Sequence, residues 1–390
     1  MKKTRRAFGF SSLGFGAALA SARPVQPNNS QPDASIRLHE DAKLSCFEVN
    51  LAKTPNSDLL AAFTRGLPGS DVGEILLTRS SDRGSAWSAL APLFPVAQPL
   101  TLTRGYQQAS LTQLSNGAVI ACTTKFSFLF DGKVAWRRGS QTEGVLTRIS
   151  QDGGYRWSEI TKVDVSPFRR TWTRGPIVET PDGTLLLPLA GQRRDGYHDF
   201  DEPIASFLLR SDDGGVAWKF HSIIAENSAD CDEPFLLSLG GNRLLCAFRS
   251  HDSPRCDPLG GYIHMTMSSD SGATWTQPKA TSMWGHPASL LHLYDERVLC
   301  AFGYRMHPNP GVRACVSEDG LTWKPSEIFA VNAIPDLDSE HLHIGCPSSV
   351  ELEAGRILTA YQVWAPANNS RSDSVTAYDR QRLEGLVYRV

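Results

Sequence analysis

Polar residues that could do chemistry recur at equivalent places along this chain. Eleven residues before the start of each of six similar apolar segments lies a position whose residue type changes from one segment to the next. These positions are Glu48, Gln108, Arg174, Glu233, Pro287 (beside His286) and Cys346. Five to seven residues after the segment starts are the cations Arg65, Lys125, Arg249 and Arg305. Variable polar positions around an apolar repeat indicate a ligand-facing rim, and arginine forks there suit an anionic small ligand.

The alternative for Arg65, Lys125 and Arg305 is that they are ordinary surface charges at strand ends. Whether these cations face a ligand or the solvent depends on the strands that carry them. The six apolar segments each follow a turn and begin at Leu59, Val119, Leu185, Leu244, Val298 and Ile357. Six units of similar length, each long enough for several short strands, predict an all-β fold, a six-bladed β-propeller. The terminal segments SIRLHE and GLVYRV are expected to complete one blade together.

A second repeat has the pattern Ser-x-Asp-x-Gly-x-x-Trp. Full copies begin at Ser80, Ser150, Ser211 and Ser268, and a copy one residue shorter begins at Ser317. Each copy follows a strand-like run, and its Asp and Gly are residues that favour hairpin turns. We interpret the motif as structural, with its Ser and Trp packing the turn against its own strands.

Composition limits the class of protein. The net charge of −2 over 390 residues argues against a nucleic-acid partner. The chain has no apolar run of 18 residues, so no transmembrane segment is predicted. It has no Cys-x-x-Cys pair and no motif that implies a cofactor, and a monomer is expected. Of its eight cysteines, four lie in apolar strands as small hydrophobes, and a bridge from Cys231 to Cys246 or Cys256 stays open.

The N-terminus has the pattern of an export signal. Residues 1–22 combine basic residues, a moderately apolar middle and a small-x-small site at Ala20-Ser21-Ala22. The pair Arg5-Arg6 favours a twin-arginine signal over an ordinary secretory leader. Residues 23–36 are expected to form a linker, and residues 37–390 a single domain exported to the periplasm or the outside of the cell.

The two repeats together resemble the sialidase (neuraminidase) superfamily, in which such motifs are called aspartate boxes. The resemblance covers essentially everything after residue 40 and is most specific in CDEPFLLSLGGNRLLCAFRS, residues 231–250. It implies that Glu233 polarises a catalytic nucleophile and that Arg249 and Arg313 belong to a carboxylate-binding arginine triad. It also implies a catalytic acid in the loop RGLPGSDVGE, where Asp71 is favoured over Glu74. Asp71 could instead be a simple turn former.

Two positions depart from the family pattern. Glu48 stands where the resemblance places the first arginine of the triad. Cys346, in Gly-Cys-Pro-Ser-Ser, stands where it places the nucleophilic tyrosine. Cys346 could act as the nucleophile if neighbouring arginines lowered its pKa, or it could be a small buried residue.

The sequence therefore predicts a sialidase-like exo-glycoside hydrolase that removes a terminal sugar, including an acidic one, from glycans. The predicted catalytic residues are Glu233, Asp71 and Cys346. The predicted substrate-binding residues are Arg249, Arg313, Arg174, Glu48, Gln108 and His286. A glycan-binding propeller that has lost catalysis is the first alternative, and a structural or protein-binding propeller is the second. Another polysaccharide-active propeller, such as a lyase, is also compatible with the fold.

Overall fold

The computed structural model describes residues 33–128, 141–193, 202–226, 230–251, 261–306, 309–333, 345–364 and 381–390. In this part of the chain, 25 strands form six separate sheets, and the only helix is the 3₁₀ turn Pro325–Glu327. The predicted six-bladed β-propeller is confirmed. The described residues contain no helix that is long and apolar enough to cross a membrane.

Each blade follows the chain from its innermost strand outwards. Blade 1 contains β2 (Ser45–Lys53), β3 (Leu59–Gly66), β4 (Glu74–Ser80) and β5 (Ala91–Phe94). Blade 2 contains β6 (Arg104–Gln113), β7 (Val119–Ser127), β8 (Gln141–Ser150) and β9 (Thr161–Lys162). Blade 3 contains β10 (Arg170–Thr173) and β11 (Val178–Glu179), which both pair with β12 (Leu185–Gln192), then β13 (Ala205–Ser211) and β14 (Lys219–Ala225).

The second half of the chain repeats this order. Blade 4 contains β15 (Asp230–Ser238), β16 (Leu244–His251), β17 (Tyr262–Ser268) and β18 (Lys279–Trp284). Blade 5 contains β19 (Ala288–His292), β20 (Val298–Tyr304), β21 (Gly311–Ser317) and β22 (Phe329–Ala333). Blade 6 contains β23 (Gly345–Glu353), β24 (Arg356–Trp364), β25 (Gln381–Arg389) and, as its outer strand, β1 (Ala34–His39).

The two ends of the chain complete blade 6, as predicted. β1 pairs antiparallel with β25, with Ser35 opposite Leu386 and Ile36 opposite Gly385. This pairing closes the ring with hydrogen bonds. β1 already begins at Ala34, inside the segment predicted as a linker.

The repeated Ser-x-Asp-x-Gly-x-x-Trp motif connects the third and fourth strands of blades 1 to 5. In blade 6 these two strands are β25 and β1, at opposite ends of the chain. No connection is needed there, and five motifs therefore serve six blades.

Hydrogen bonds within the motif form a closed turn, as the copy in blade 3 shows. Ser211 Oγ donates to Asp213 Oδ1 at 2.7 Å and accepts from Gly215 N at 2.9 Å. Asp213 Oδ1 also accepts from Ala217 N at 2.9 Å, and Trp218 Nε1 donates to Gly215 O at 3.1 Å. The motif thus satisfies its own backbone groups, as expected of a structural turn.

The core is divided among the interfaces between neighbouring blades. On β12, Leu185 and Leu187 face blade 2, whereas Leu186 packs with residues of blade 4. Both faces of this second strand are buried, which explains why the first repeat is a continuous apolar run and not an alternating one. Trp218 also packs between blades 2 and 3, so the motif ties its blade to the preceding one as well as to its own strands.

The fifth residue of the motif must be glycine for two reasons. Gly215 has φ = 93°, and a Cβ there would lie 2.9 Å from Ile120 Cδ1 of the preceding blade. Its neighbour Gly214 has φ = 73°, but a Cβ there would meet no atom within 4 Å.

We expect Gly214→Ala to cost about 1 kcal/mol of unfolding free energy, and Gly215→Ala roughly 1 kcal/mol more, because it adds a clash to backbone strain. Urea unfolding of both variants measures the difference, and equal losses would contradict the blade-contact role.

Candidate functional site

The innermost strands of four blades carry a β-bulge at the position predicted to face a ligand. Their backbone φ angles are 55° at Glu48, 49° at Gln108, 55° at Glu233 and 46° at Cys346. In β15, for example, the strand register shifts between Asp232 and Phe235. Residues other than glycine rarely adopt such angles, and a bulge redirects the side chain of the extra residue. Four equivalent bulges therefore turn four polar side chains towards the central axis.

The bulged positions lie inside the innermost strands and not at their first residues. Glu48 and Glu233 are the fourth residues of β2 and β15, and Gln108 is the fifth of β6. Arg174 directly follows β10, and Pro287 directly precedes β19. The strands begin earlier because pairing with the second strand continues on both sides of each bulge.

The structure brings together ionisable groups from all blades except blade 2. Glu48 interacts electrostatically with Asp71, Arg174 and Glu233. Arg305 interacts with Arg174, Glu233 and Arg249, and also with Cys346. These groups define the axial cluster: Glu48, Asp71, Arg174, Glu233, Arg249, Arg305 and Cys346.

Glu48 is the carboxyl of this cluster with the most unusual environment. The residue keeps some exposure, but its Oε2 is buried and has no hydrogen-bond partner among the described residues. Its Oε1 lies 3.5 Å from Gln107 Nε2, a weak contact. Burial, together with the charges of Asp71 and Glu233, raises the pKa of Glu48 to about 8, although Arg174 acts in the opposite direction. Glu48 therefore carries a proton at neutral pH.

Arg249 is held by three side chains. Its Nη2 donates to Asp232 Oδ2 at 2.9 Å, and its Nη1 lies 2.9 Å from His286 Nδ1. Its Nε lies 3.2 Å from Glu233 Oε2, an ion pair without hydrogen-bond alignment. Burial lowers the pKa of Arg249, but Glu233 and Asp232 outweigh this effect and raise it. Arg249 therefore stays charged.

Asp232 is a site residue that the sequence reasoning missed. Its Oδ1 accepts from Trp172 Nε1 at 2.8 Å and from Glu233 N at 2.7 Å, while its Oδ2 binds Arg249. Side chains of adjacent strand residues normally point to opposite faces, so only Glu233 was assigned to the axis. The bulge breaks this alternation, and both carboxylates reach Arg249. The Asp-Glu pair ahead of a strand was the available signal.

Gln108 and His286 hold neighbouring parts of the site in place. The buried Gln108 donates from Nε2 to the Arg174 carbonyl oxygen at 2.9 Å, across the interface of blades 2 and 3. The buried His286 contacts Arg249.

Cys346 lies in the axial cluster as a buried thiol. Burial raises its pKa to about 11, although Arg174 and Arg305 act in the opposite direction. The thiol is therefore protonated at neutral pH and is a poor nucleophile. Elsewhere, Cys246 is also a free thiol, so the alternative bridge from Cys231 to Cys246 is not formed, and Cys256 lies outside the described residues.

Other predicted cations contact partners outside the axial cluster. Arg313, on β21, stacks over the Tyr304 ring with its guanidinium carbon 3.2 Å from the ring centroid. Arg65 pairs with Glu74 at 2.6 Å, and Lys125 pairs with Glu143 at 3.2 Å. Glu74 is thereby engaged in a strand-end ion pair. The arginine near the axis from blade 5 is Arg305, which is 9% exposed and directly follows β20.

The described residues contain no group of three or more His, Cys, Asp or Glu side chains arranged to hold a metal ion.

Comparison with known proteins agrees with this architecture. The family described as BNR repeat-like domain matches residues 112–333, more than half of the chain. The protein therefore belongs to this family and is a sialidase-like member of the BNR superfamily. No curated protein sequence matches it.

Solved structures show the same fold at low sequence identity. A protein of unknown function from Dyadobacter fermentans has a TM-score of 0.73 and 21% identity, over 92% of this chain and 99% of that one. NanB sialidase of Streptococcus pneumoniae has a TM-score of 0.63 and 12% identity, over 90% of this chain and 70% of that one. An alpha-L-arabinanase of Penicillium chrysogenum, solved with arabinobiose, has a TM-score of 0.60 and 13% identity, over 92% of this chain and 99% of that one.

The protonated state of Glu48 has a consequence for stability. An unfolded glutamate titrates near pH 4.5, but folded Glu48 titrates near 8. Between these values folding requires proton uptake, so the Glu48 contribution is complete below pH 4.5 and is lost as the pH rises to 8. Relative to wild type, Glu48→Gln should therefore gain stability across this window, by up to about 1.4 kcal/mol per pH unit. Urea unfolding at pH 5 and pH 8 tests this, and parallel pH profiles would contradict a protonated Glu48.

Proposed function

We propose that this protein is a sialidase-like glycoside hydrolase that cleaves a terminal sugar at the axial cluster. The observation that carries the proposal is the convergence of Glu48, Asp71 and Glu233, with Glu48 protonated and Glu233 paired with Arg249 at 3.2 Å. Glycoside hydrolysis generally needs a carboxylic acid and a carboxylate on opposite sides of the scissile bond. The sialidase and arabinanase neighbours share the fold that presents these groups.

In this proposal Glu48 is the general acid. It donates its proton to the glycosidic oxygen as the bond from that oxygen to the anomeric carbon breaks. Asp71, in the loop before β4, contributes negative charge that keeps the proton on Glu48. The role of acid thus falls to Glu48, and Asp71 supports it.

Glu233 supplies the carboxylate. Its ion pair with Arg249 and the hydrogen bond from its backbone to Asp232 orient the side chain before substrate binds. It either attacks the anomeric carbon or removes a proton from the water that does so. In both cases water supplies the new hydroxyl of the sugar, and the leaving alcohol receives the proton of Glu48.

This route does not need the tyrosine that the sialidase resemblance places at Cys346. A nucleophilic Cys346 would have to lose a proton whose pKa is about 11. The plainer role of Cys346 is to fill space between Arg174 and Arg305.

The proposal also includes export. It rests on the signal-like residues 1–22, which lie outside the described part of the chain. Cell fractionation of the full chain, beside an Arg5→Lys/Arg6→Lys variant, tests it. Retention of the variant alone would favour the twin-arginine route, whereas export of both would favour an ordinary leader.

Hydrolysis of a panel of aryl glycosides tests the catalytic roles. We expect Glu233→Gln to lower kcat/KM by about 1,000-fold on all substrates. Glu48→Gln should lower it by about 100-fold on substrates with a poor leaving group, but much less on dinitrophenyl glycosides, which need little protonation. Wild-type activity should fall as the pH rises through about 8, where Glu48 loses its proton.

A matched control is Glu179→Gln. Glu179 lies on β11, an inner strand of blade 3, but it accepts hydrogen bonds from Ser115 and lies five residues beyond Arg174. This variant should retain wild-type rates. Turnover unaffected by Glu233→Gln would remove Glu233 from the mechanism. No turnover by wild type, together with saturable sugar binding in calorimetry, would favour the glycan-binding alternative.

A Cys346→Ala variant tests whether the thiol takes part in catalysis alongside the carboxyls. If Cys346 only fills space, the variant should keep kcat/KM within roughly 10-fold of wild type, measured on the same substrates. A loss as large as that of Glu233→Gln, with unchanged stability in urea, would restore Cys346 as the nucleophile.

A further inference from the structure

We propose that the axial cluster binds an electrically neutral sugar and discriminates against sugars that carry a carboxylate. This inference rests on the proposed glycoside hydrolase function and narrows its substrate class. It departs from the anionic ligand expected from the sequence.

The first argument is the state of Arg249, the arginine expected to bind a sugar carboxylate. Its three nitrogens already contact Asp232, Glu233 and His286 at 2.9 to 3.2 Å. Nη1 and Nη2 each carry a second N–H, and Nε has no aligned hydrogen bond, so charge and not the number of donors opposes a ligand carboxylate here. Two protein carboxylates already neutralise this guanidinium, so little attraction remains for a third.

The second argument is the charge around the other two arginines. Arg174 interacts with Glu48, and Arg305 interacts with Glu233. A ligand carboxylate near either guanidinium would also approach Glu233 or Asp71, and like charges repel strongly where little water separates them. Arg313, the other arginine expected to bind a carboxylate, stacks on the Tyr304 ring.

The third argument concerns two buried atoms that lack hydrogen-bond partners among the described residues. They are Glu48 Oε2 and Arg174 Nε, and the Arg174 residue is only 3% exposed. Buried polar atoms normally have partners, so these two indicate where a ligand would bind. A sugar hydroxyl can both donate and accept, and it therefore matches a guanidinium N–H beside a carboxyl.

Matched pairs of substrates test the proposal. A 4-nitrophenyl hexoside and the corresponding hexuronide differ only in CH₂OH against a carboxylate, and the gluco and galacto pairs cover two hydroxyl configurations. A 4-nitrophenyl arabinofuranoside and a 4-nitrophenyl sialoside complete the set. We expect kcat/KM to be about 10-fold or more higher for the neutral member of any pair that is cleaved. The KM for neutral substrates should not change between low and high salt.

An Asp232→Asn variant tests the role of Arg249 in this preference. It removes one of the two carboxylates that neutralise Arg249, while the amide can still contact Trp172 and Arg249. We expect the ratio of neutral to anionic kcat/KM to narrow by several-fold, whatever the loss in absolute rate. Glu179→Gln should leave the ratio unchanged. An unchanged ratio in Asp232→Asn would show that neutralised Arg249 does not set the preference.

Binding measurements keep this inference distinct from the hydrolase proposal. Calorimetry with free arabinose, galactose, galacturonic acid and sialic acid requires no catalysis. Binding of a neutral sugar without turnover of any glycoside would support the substrate class and overturn the hydrolase. Cleavage with preference for a uronide or sialoside would retain the hydrolase and overturn the neutral substrate class.

Discussion

Bulges in the innermost strands are the constraint on which the rest of the site depends. An unbroken strand would send alternate side chains into the two neighbouring blade interfaces, where the core is apolar. A residue with φ near 50° interrupts that alternation in four blades and directs a polar group to the axis. Such a conformation costs of order 1 kcal/mol or more for each residue that is not glycine. The blade interfaces on both sides of each inner strand offset this cost.

Carboxyls crowded at the axis are tolerated in two different ways. Glu233 and Asp232 both pair with Arg249, and Asp232 also accepts hydrogen bonds from Trp172 and a backbone N–H. Among the described residues, no guanidinium lies within hydrogen-bond distance of Glu48, which holds its proton instead. Two carboxyls in different electrostatic environments are what acid-base chemistry on a glycosidic bond requires. The same arrangement leaves Arg249 little capacity for an anionic ligand.

The residues that stabilise the fold and the polar residues of the site lie in different parts of each blade. The Ser-x-Asp-x-Gly-x-x-Trp turns lie between the third and fourth strands, and their tryptophans bury against the preceding blade. The polar residues of the site lie at the first strand of each blade and at the ends of the second. Substitutions at the axis can therefore change the chemistry while the turns and blade interfaces stay the same. This separation accounts for sialidases and arabinanases sharing one scaffold with this chain at 12 to 13% identity.

The sequence by itself determined the number of blades and the pairing of the two chain ends. These features repeat, and a repeated spacing with buried apolar strands has few three-dimensional solutions. Only the tertiary structure decided which charges meet. Arg249 is 16 residues from Glu233 and 37 from His286, yet it contacts both, whereas Arg313 stacks on Tyr304. Burial and long-range contacts determine that Glu48 is protonated and that Arg249 is paired with protein side chains. Neither the protonation of Glu48 nor the contacts of Arg249 can be inferred from residue types and their spacing alone.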